Sequence, residues 1–152
     1  VEQAEARGVA ALLRHRLAVM DPIARDTILI VVTRAHLRLT SHRLAETLSV
    51  TRGKLLERLR SERLPAPQKL IGWGRLIVAG QMLDDPKRSA DGIARALDFP
   101  SGSAFRNMCQ RYVGATPLEI RERGGARYVT AQFLRAIGRA ELADGLEQVV
   151  AP

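Results

Sequence analysis

The chain has 152 residues, 46% of them hydrophobic, with a formal charge of +8; at this length about 68–70% of the unfolded surface can be buried, enough for one core without covalent staples. The single cysteine, Cys109, excludes an intramolecular disulfide and reads as a small core residue, and His15, His36 and His42 fall at no zinc-ligand spacing. The longest apolar run, Ile28 to Val32, is too short to span a bilayer and no signal-peptide pattern opens the chain, which points to a soluble, cytoplasmic protein; with Val rather than Met as its first residue, the chain is read as a fragment, and an upstream part is expected.

Val1 to Met20 is rich in Ala and Arg and carries Val9, Leu12, Leu13, Leu17 and Met20 at helical spacing, so a helix is expected there. Asp21-Pro22 follows as a helix start, Asp at the cap and Pro at the first position, opening a segment to about His36. Its run Thr27 to Thr33 is β-branched almost throughout, which is strand-like. No turn precedes a partner strand, and the segment is read as helix.

Leu39 to Leu64 holds two short amphipathic pieces. Thr40 or Ser41 caps the first, whose inner face is Leu44, Ala45 and Leu48; Ser49-Val50 is the turn; Thr51 caps the second, with Leu55, Leu56 and Leu59 facing in. Ala66 to Leu83 is strongly apolar, with Leu70, Ile71, Trp73, Leu76, Ile77, Met82 and Leu83. Gly72, Gly74 and Gly80 each cost about 1 kcal/mol relative to Ala inside a helix, so burial must hold this stretch together. Trp73 is assigned to the core or to a contact with a module rather than to base stacking. Asp84-Asp85-Pro86 ends the stretch.

Ser89 to Arg121 repeats the earlier pair of pieces. Ile93, Ala94 and Leu97 form one apolar face; Phe99 enters the core from the turn; Ser101 caps a helix with Phe105, Met108, Cys109 and Tyr112 or Val113 buried; Gly114 and Pro117 end it. Displaced by 49 residues, Leu44 falls on Ile93, Ala45 on Ala94, Leu48 on Leu97, Val50 on Phe99 and Pro65 on Gly114, the offset slipping to 50 where Leu55 pairs with Phe105. A repeat of two helices occurring twice means two similar modules rather than a solenoid. After the breaker Glu122-Arg123-Gly124-Gly125, Ala126 to Val150 resumes an amphipathic pattern through Tyr128, Val129, Phe133, Leu134, Ile137, Leu142, Leu146 and Val149, split at Gly138. Packing of this tail on the second module is favoured over a dimerisation surface.

The stretch Ile93 to Arg121, with its Ile-Ala pair, Phe99 in the turn, Phe105 in the following helix and the closing Gly114, Ala115, Thr116, Pro117 and Arg121, resembles the second helix-turn-helix of the AraC/XylS family of bacterial transcription regulators. The resemblance extends back to about Thr40. It departs from the family at Asp98, where Gly is usual and a positive backbone angle is expected. The resemblance implies an all-α fold of two helix-turn-helix modules, 39–65 and 89–121, held apart by a long helix within 66–85 in which Arg75-Leu76 matches the family's Arg-Leu pair. It places a family helix at 22–36 too. Residues 1–38 are then N-terminal helices, 39–123 the AraC-like DNA-binding domain and 126–150 an extension the family core does not require.

Charge agrees in its distribution: residues 40–121 carry fourteen basic and eight acidic groups, against six and four before them and four and four after. Basic domains attract nucleic acid. Because 21 of the 24 basic residues are Arg, as a GC-rich genome favours, the helix-turn-helix pattern rather than the charge carries the reading. Sequence-specific binding of double-stranded DNA is expected, each module placing the start of its second helix in one of two successive major grooves, to regulate transcription. The family's base-reading positions fall on Gly53, Leu56 and Glu57 in the first module and are matched by Gly102, Ser103 and Asn107 in the second. Thr51, Arg52, Lys54, Glu57 and Arg58 with Ser101, Ser103, Arg106, Asn107 and Arg111 form the candidate interface. Arg52, Lys54, Arg106 and Arg111 are assigned to phosphate, Arg58 and Asn107 to base edges.

Nothing in the sequence calls for a catalytic site, metal or cofactor. Gly53-Lys54 is no phosphate loop, since Leu48 and Leu55 stand where Gly and Ser or Thr are needed, and Gly102-Ser103 lacks the glycine spacing of a hydrolase elbow. Two rival functions stand beside DNA binding. A helix-turn-helix can serve protein contact alone, with RNA polymerase or a partner regulator. RNA binding is disfavoured by an aromatic content of 4%. Homodimerisation is assigned to the missing upstream part or to the C-terminal helices.

Overall fold

Local signals place most helix ends in this all-α chain. The computed structural model describes the backbone of residues 2–34 and 38–150, and the side chains of those residues except 2–7, 145 and 147–150. Among the described residues there are ten helices and no strand. They divide into two units, Gln3–Arg75 and the chain from Leu76 onward, with the boundary inside one helix.

In the first unit α1 (Glu2–Arg16) buries Ala10 and Leu13, and the turn after it buries Leu17 and Met20. The helix therefore stops short of Met20, and Val1 lies outside the described residues. In α2 (Pro22–Thr33) the Asp21 carboxylate accepts from the backbone N–H of Ile23 and Ala24 at 3.0 and 3.1 Å, satisfying two of the donors a helix start leaves open. The β-branched run is helical because Ile28, Leu29, Val31 and Val32 are all buried, and packing outweighs a modest propensity. Thr27 and Thr33 turn their hydroxyls back to the carbonyls of Ile23 and Leu29, both at 2.8 Å. The helix ends at Thr33, and His36 lies outside the described residues.

The first module is α3 (Ser41–Thr47) followed by α4 (Arg52–Ser61), capped by Thr40 and Thr51. Leu44, Ala45, Leu55 and Leu59 are buried; Leu48 and Leu56, expected to face in, are only half-buried at the edge. Helix α5 (Pro67–Leu83) follows, and Trp73 is 2% exposed, within the core. At Gly74 the backbone of α5 approaches that of α2 so closely that a Cβ would lie 2.7 Å from the Val31 carbonyl carbon.

In the second unit α6 (Ala90–Ala96) and α7 (Gly102–Val113) are capped by Ser89 and Ser101. Ile93, Ala94, Leu97, Phe105, Met108, Cys109 and Val113 are buried. Burial pushes the Cys109 thiol up to about 12, so it stays a neutral core group. Phe99, expected in the core, is half-buried and leans on Phe105 with ring centroids 5.1 Å apart. Gly114 ends α7 in the left-handed conformation, φ 74°. After α4 the left-handed residue is Arg63, φ 57°, rather than Pro65, on which the 49-residue offset placed Gly114.

Thr116 and Glu119 form a reciprocal capping box at the start of α8 (Pro117–Glu122). Hydrogen bonds from the Thr116 backbone N–H and hydroxyl hold the Glu119 carboxyl below the usual carboxylate range. Arg121 closes the motif by donating to the carbonyls of Leu83 at 2.8 Å, Asp85 at 3.4 Å and Arg88, so it satisfies the end of α5 and the loop after it. Helix α9 (Ala126–Ala136) lies against α7, and α10 (Ala140–Val150) against α9, with Gly138 at φ 80° between them. Leu146 is buried, while Val149 lies outside the residues whose side chains are described.

The Gly74 contact yields a paired test. Gly74→Ala must push backbone against backbone and should cost about 1–3 kcal/mol. Gly53, also helical, has nothing within 4 Å of where its Cβ would stand, so Gly53→Ala should stabilise by about 0.5–1 kcal/mol. Urea unfolding of both variants checks the signs; equal midpoints would contradict the close approach.

Candidate nucleic-acid interface

The two modules share one turn. After α3 the chain passes through Ser49 at φ 56°, and the N–H of Val50 reaches back to the Ala45 carbonyl at 3.0 Å; after α6 it passes through Asp98 at φ 58°, and the N–H of Phe99 reaches the Ala94 carbonyl at 2.9 Å. This is the Schellman closure, in which a left-handed residue lets a helix stop and the chain turn sharply. Asp98 adopts the positive angle expected where the family carries Gly.

Between turn and cap the second module has one extra residue, Pro100. Thr40 and Ser89 cap the first helices at an offset of 49, whereas Thr51 and Ser101 cap the second helices at 50. The register of the exposed faces follows from the caps. Gly53 corresponds to Ser103, Leu56 to Arg106 and Glu57 to Asn107. The expected match of the first module's positions to Gly102, Ser103 and Asn107 is corrected accordingly: Gly102 corresponds to Arg52.

Thr51 Oγ1 accepts from the Lys54 N–H at 3.1 Å and Ser101 Oγ from the Ala104 N–H at 3.0 Å. Each hydroxyl hydrogen is left to donate outward, beside the open N–H groups at the start of a helix. Along α7, Ser103, Arg106, Asn107, Gln110 and Arg111 are exposed at i, i+3, i+4, i+7 and i+8, one stripe without an acidic residue. Gln110 was not singled out from the sequence, although its spacing from Ser103 would have shown it. On α4, Arg52, Gly53, Lys54, Glu57 and Arg60 are exposed and Leu56 is half-buried.

Two basic residues of the candidate interface, Arg58 and Arg106, have partners among the described residues. Arg58 Nη1 donates to Asp21 Oδ1 at 3.1 Å, and the Asp21 N–H donates to Glu62 Oε1 at 3.0 Å, tying α4 to the start of α2. Arg58 Nε is buried with no acceptor among the described residues. Its guanidinium faces the protein, and the expectation that Arg58 reads a base edge gives way to a structural role. Arg106 Nη2 donates to Asp91 Oδ1 at 2.9 Å, across the two helices of the second module.

The family model described as a helix-turn-helix domain, of the AraC type, matches residues 44–123, from the core of α3 past the end of α8. The chain belongs to the AraC/XylS family. No curated protein and no solved structure matches it. The matched segment takes in both modules and α5, so the two exposed helix faces belong to a DNA-binding helix-turn-helix regulator. Helices α9 and α10 lie beyond the match.

Arg58→Ala separates the structural reading from an interfacial one. Its pair with Asp21 joins side chains 37% and 16% exposed, so removal should cost up to about 1 kcal/mol in thermal unfolding. Lys54→Ala, on an exposed site, should stay within about 0.5 kcal/mol of the parent. An Arg58→Ala protein that melts like the parent but loses DNA would reverse the assignment.

Proposed function

We propose that this AraC/XylS-family protein binds duplex DNA sequence-specifically through both modules, with α4 and α7 entering successive major grooves, and thereby regulates transcription. The observation that carries the reading is the stripe on α7. A face of Ser103, Asn107 and Gln110 flanked by Arg106 and Arg111 combines groups that can hydrogen-bond base edges with groups that can neutralise phosphate. Asn107 suits adenine, to which an amide can bond bidentately. Arg52, Lys54 and Arg111 act as phosphate anchors, and the Thr51 and Ser101 hydroxyls with the neighbouring helix-start N–H groups add uncharged donors.

The modules read unequally. Gly53 offers no side chain and Leu56 only an apolar one, so α4 has Glu57 as its single polar group at the three corresponding positions, and Glu57 can accept only from cytosine. The first module is therefore mainly an anchor and the second mainly a reader. The composition of the α4 face also supports a second reading, in which the first module meets a protein such as RNA polymerase.

Removing an anchor weakens all sequences alike, whereas removing a base contact costs about 1–3 kcal/mol at one position. Lys54→Ala should lower affinity for selected and random duplex by similar factors, and Asn107→Ala should relax preference at one base pair. With about 6–10 phosphates neutralised, affinity should fall about 10³ to 10⁵-fold between about 50 and 200 mM salt. Mobility shift against duplex, single strand and structured RNA, with competition by single-base variants, measures all three. A flat salt response, or preference for RNA, contradicts the proposal.

A further inference from the structure

The ion pair between Asp91 and Arg106 lies on the face assigned to DNA. Asp91 stands in the first turn of α6, and Arg106 one turn into α7. Asp91 and Arg106 are exposed, 61% and 49%, so the pair sits on the surface rather than within the core. A Cβ at Gly102, the first residue of α7, would collide with Asp91 Oδ1 and lie 3.2 Å from Arg106 Nη1. The missing side chain of Gly102 thus leaves the recess in which carboxylate and guanidinium meet over the first turn of α7. A helix start favours an anion there, and on DNA that anion would be a phosphate.

The first module lacks the arrangement. In the register fixed by the caps, His42 stands for Asp91, Arg52 for Gly102 and Leu56 for Arg106. No carboxylate faces a guanidinium across those three positions.

We propose that Asp91 is a specificity-determining residue of the second module, resting on the DNA-binding reading above. Paired with Asp91, Arg106 carries its charge beside an equal and opposite one, which leaves the guanidinium only a weak attraction for backbone phosphate. Non-cognate DNA therefore gains little from Arg106. A guanine facing the pair offers two acceptors to the guanidinium, a bidentate contact that can outcompete an exposed carboxylate. Asp91 makes Arg106 a reader of sequence instead of a general anchor, which revises its assignment to phosphate.

The test is a double-mutant cycle of Asp91→Asn and Arg106→Ala, reading affinity for random duplex and for a site selected from a random pool across a salt series. Asn keeps nearly the shape of the exposed Asp, and melting curves check that each variant is folded. Exposed ion pairs are worth up to about fivefold in an equilibrium. Asp91→Asn should tighten binding to random duplex about two- to fivefold, steepen its salt dependence by about one phosphate, and tighten binding to the selected site less, so the specificity ratio falls. In the Arg106→Ala background it should change neither affinity. Equal tightening with and without Arg106 would mean a general charge effect and overturn the proposal, as would no change in either background. A parent protein that binds no duplex would overturn the underlying DNA reading as well, and is seen separately from these outcomes.

Discussion

The closure of the turn between paired helices is the constraint on which the rest depends. A backbone residue must turn left-handed, at Ser49 in one module and Asp98 in the other, while the N–H of the residue after it bonds back to the helix. Neither residue is glycine, so each accepts the mild cost of a positive φ; Asp tolerates it better than most side chains. Once the turn closes, Leu44 with Leu55 and Ile93 with Phe105 are brought into their cores, and the cap residue lands where the second helix must begin. The exposed face of that helix is a consequence of the buried one.

That dependence explains which features were legible in the sequence. Caps act within three residues, so Asp21, Thr40, Thr51 and Ser101 could be named from local pattern and carry the bonds expected of them. The left-handed glycine at 114 and the core placement of Trp73 were legible for the same reason. The register of the second helices was less so, because one extra turn residue, Pro100, shifts every position after it and moves Gly102 out of the set matched to the first module. Pairs across elements had no local signal. Arg58 meets Asp21 37 positions away, and Arg121 meets the carbonyl of Leu83 38 positions away. Both ends of such contacts look like ordinary surface charge until the fold brings them together.

The basic residues accordingly separate by what they face. Arg121 and Arg58 hold carbonyls and a carboxylate within the protein. Arg52, Lys54 and Arg111 stand exposed on α4 and α7. The formal charge of +8 overstates what is available to a polyanion, and the distribution of partners is more informative than the total. It also accounts for why α4 and α7, built on one plan, offer different faces: Glu57 and Leu56 on the first, Asn107 and Arg106 on the second.

Two modules on one chain imply a definite footprint if both enter DNA. The most direct measurement is backbone-cleavage footprinting on duplex selected from a random pool. Binding through α4 and α7 in successive major grooves predicts two protected patches on one face of the duplex, centred about 10 to 10.5 base pairs apart, with sharper base preference in one patch than in the other. A single patch of one half-site, or no enrichment of any duplex over the starting pool, would contradict it.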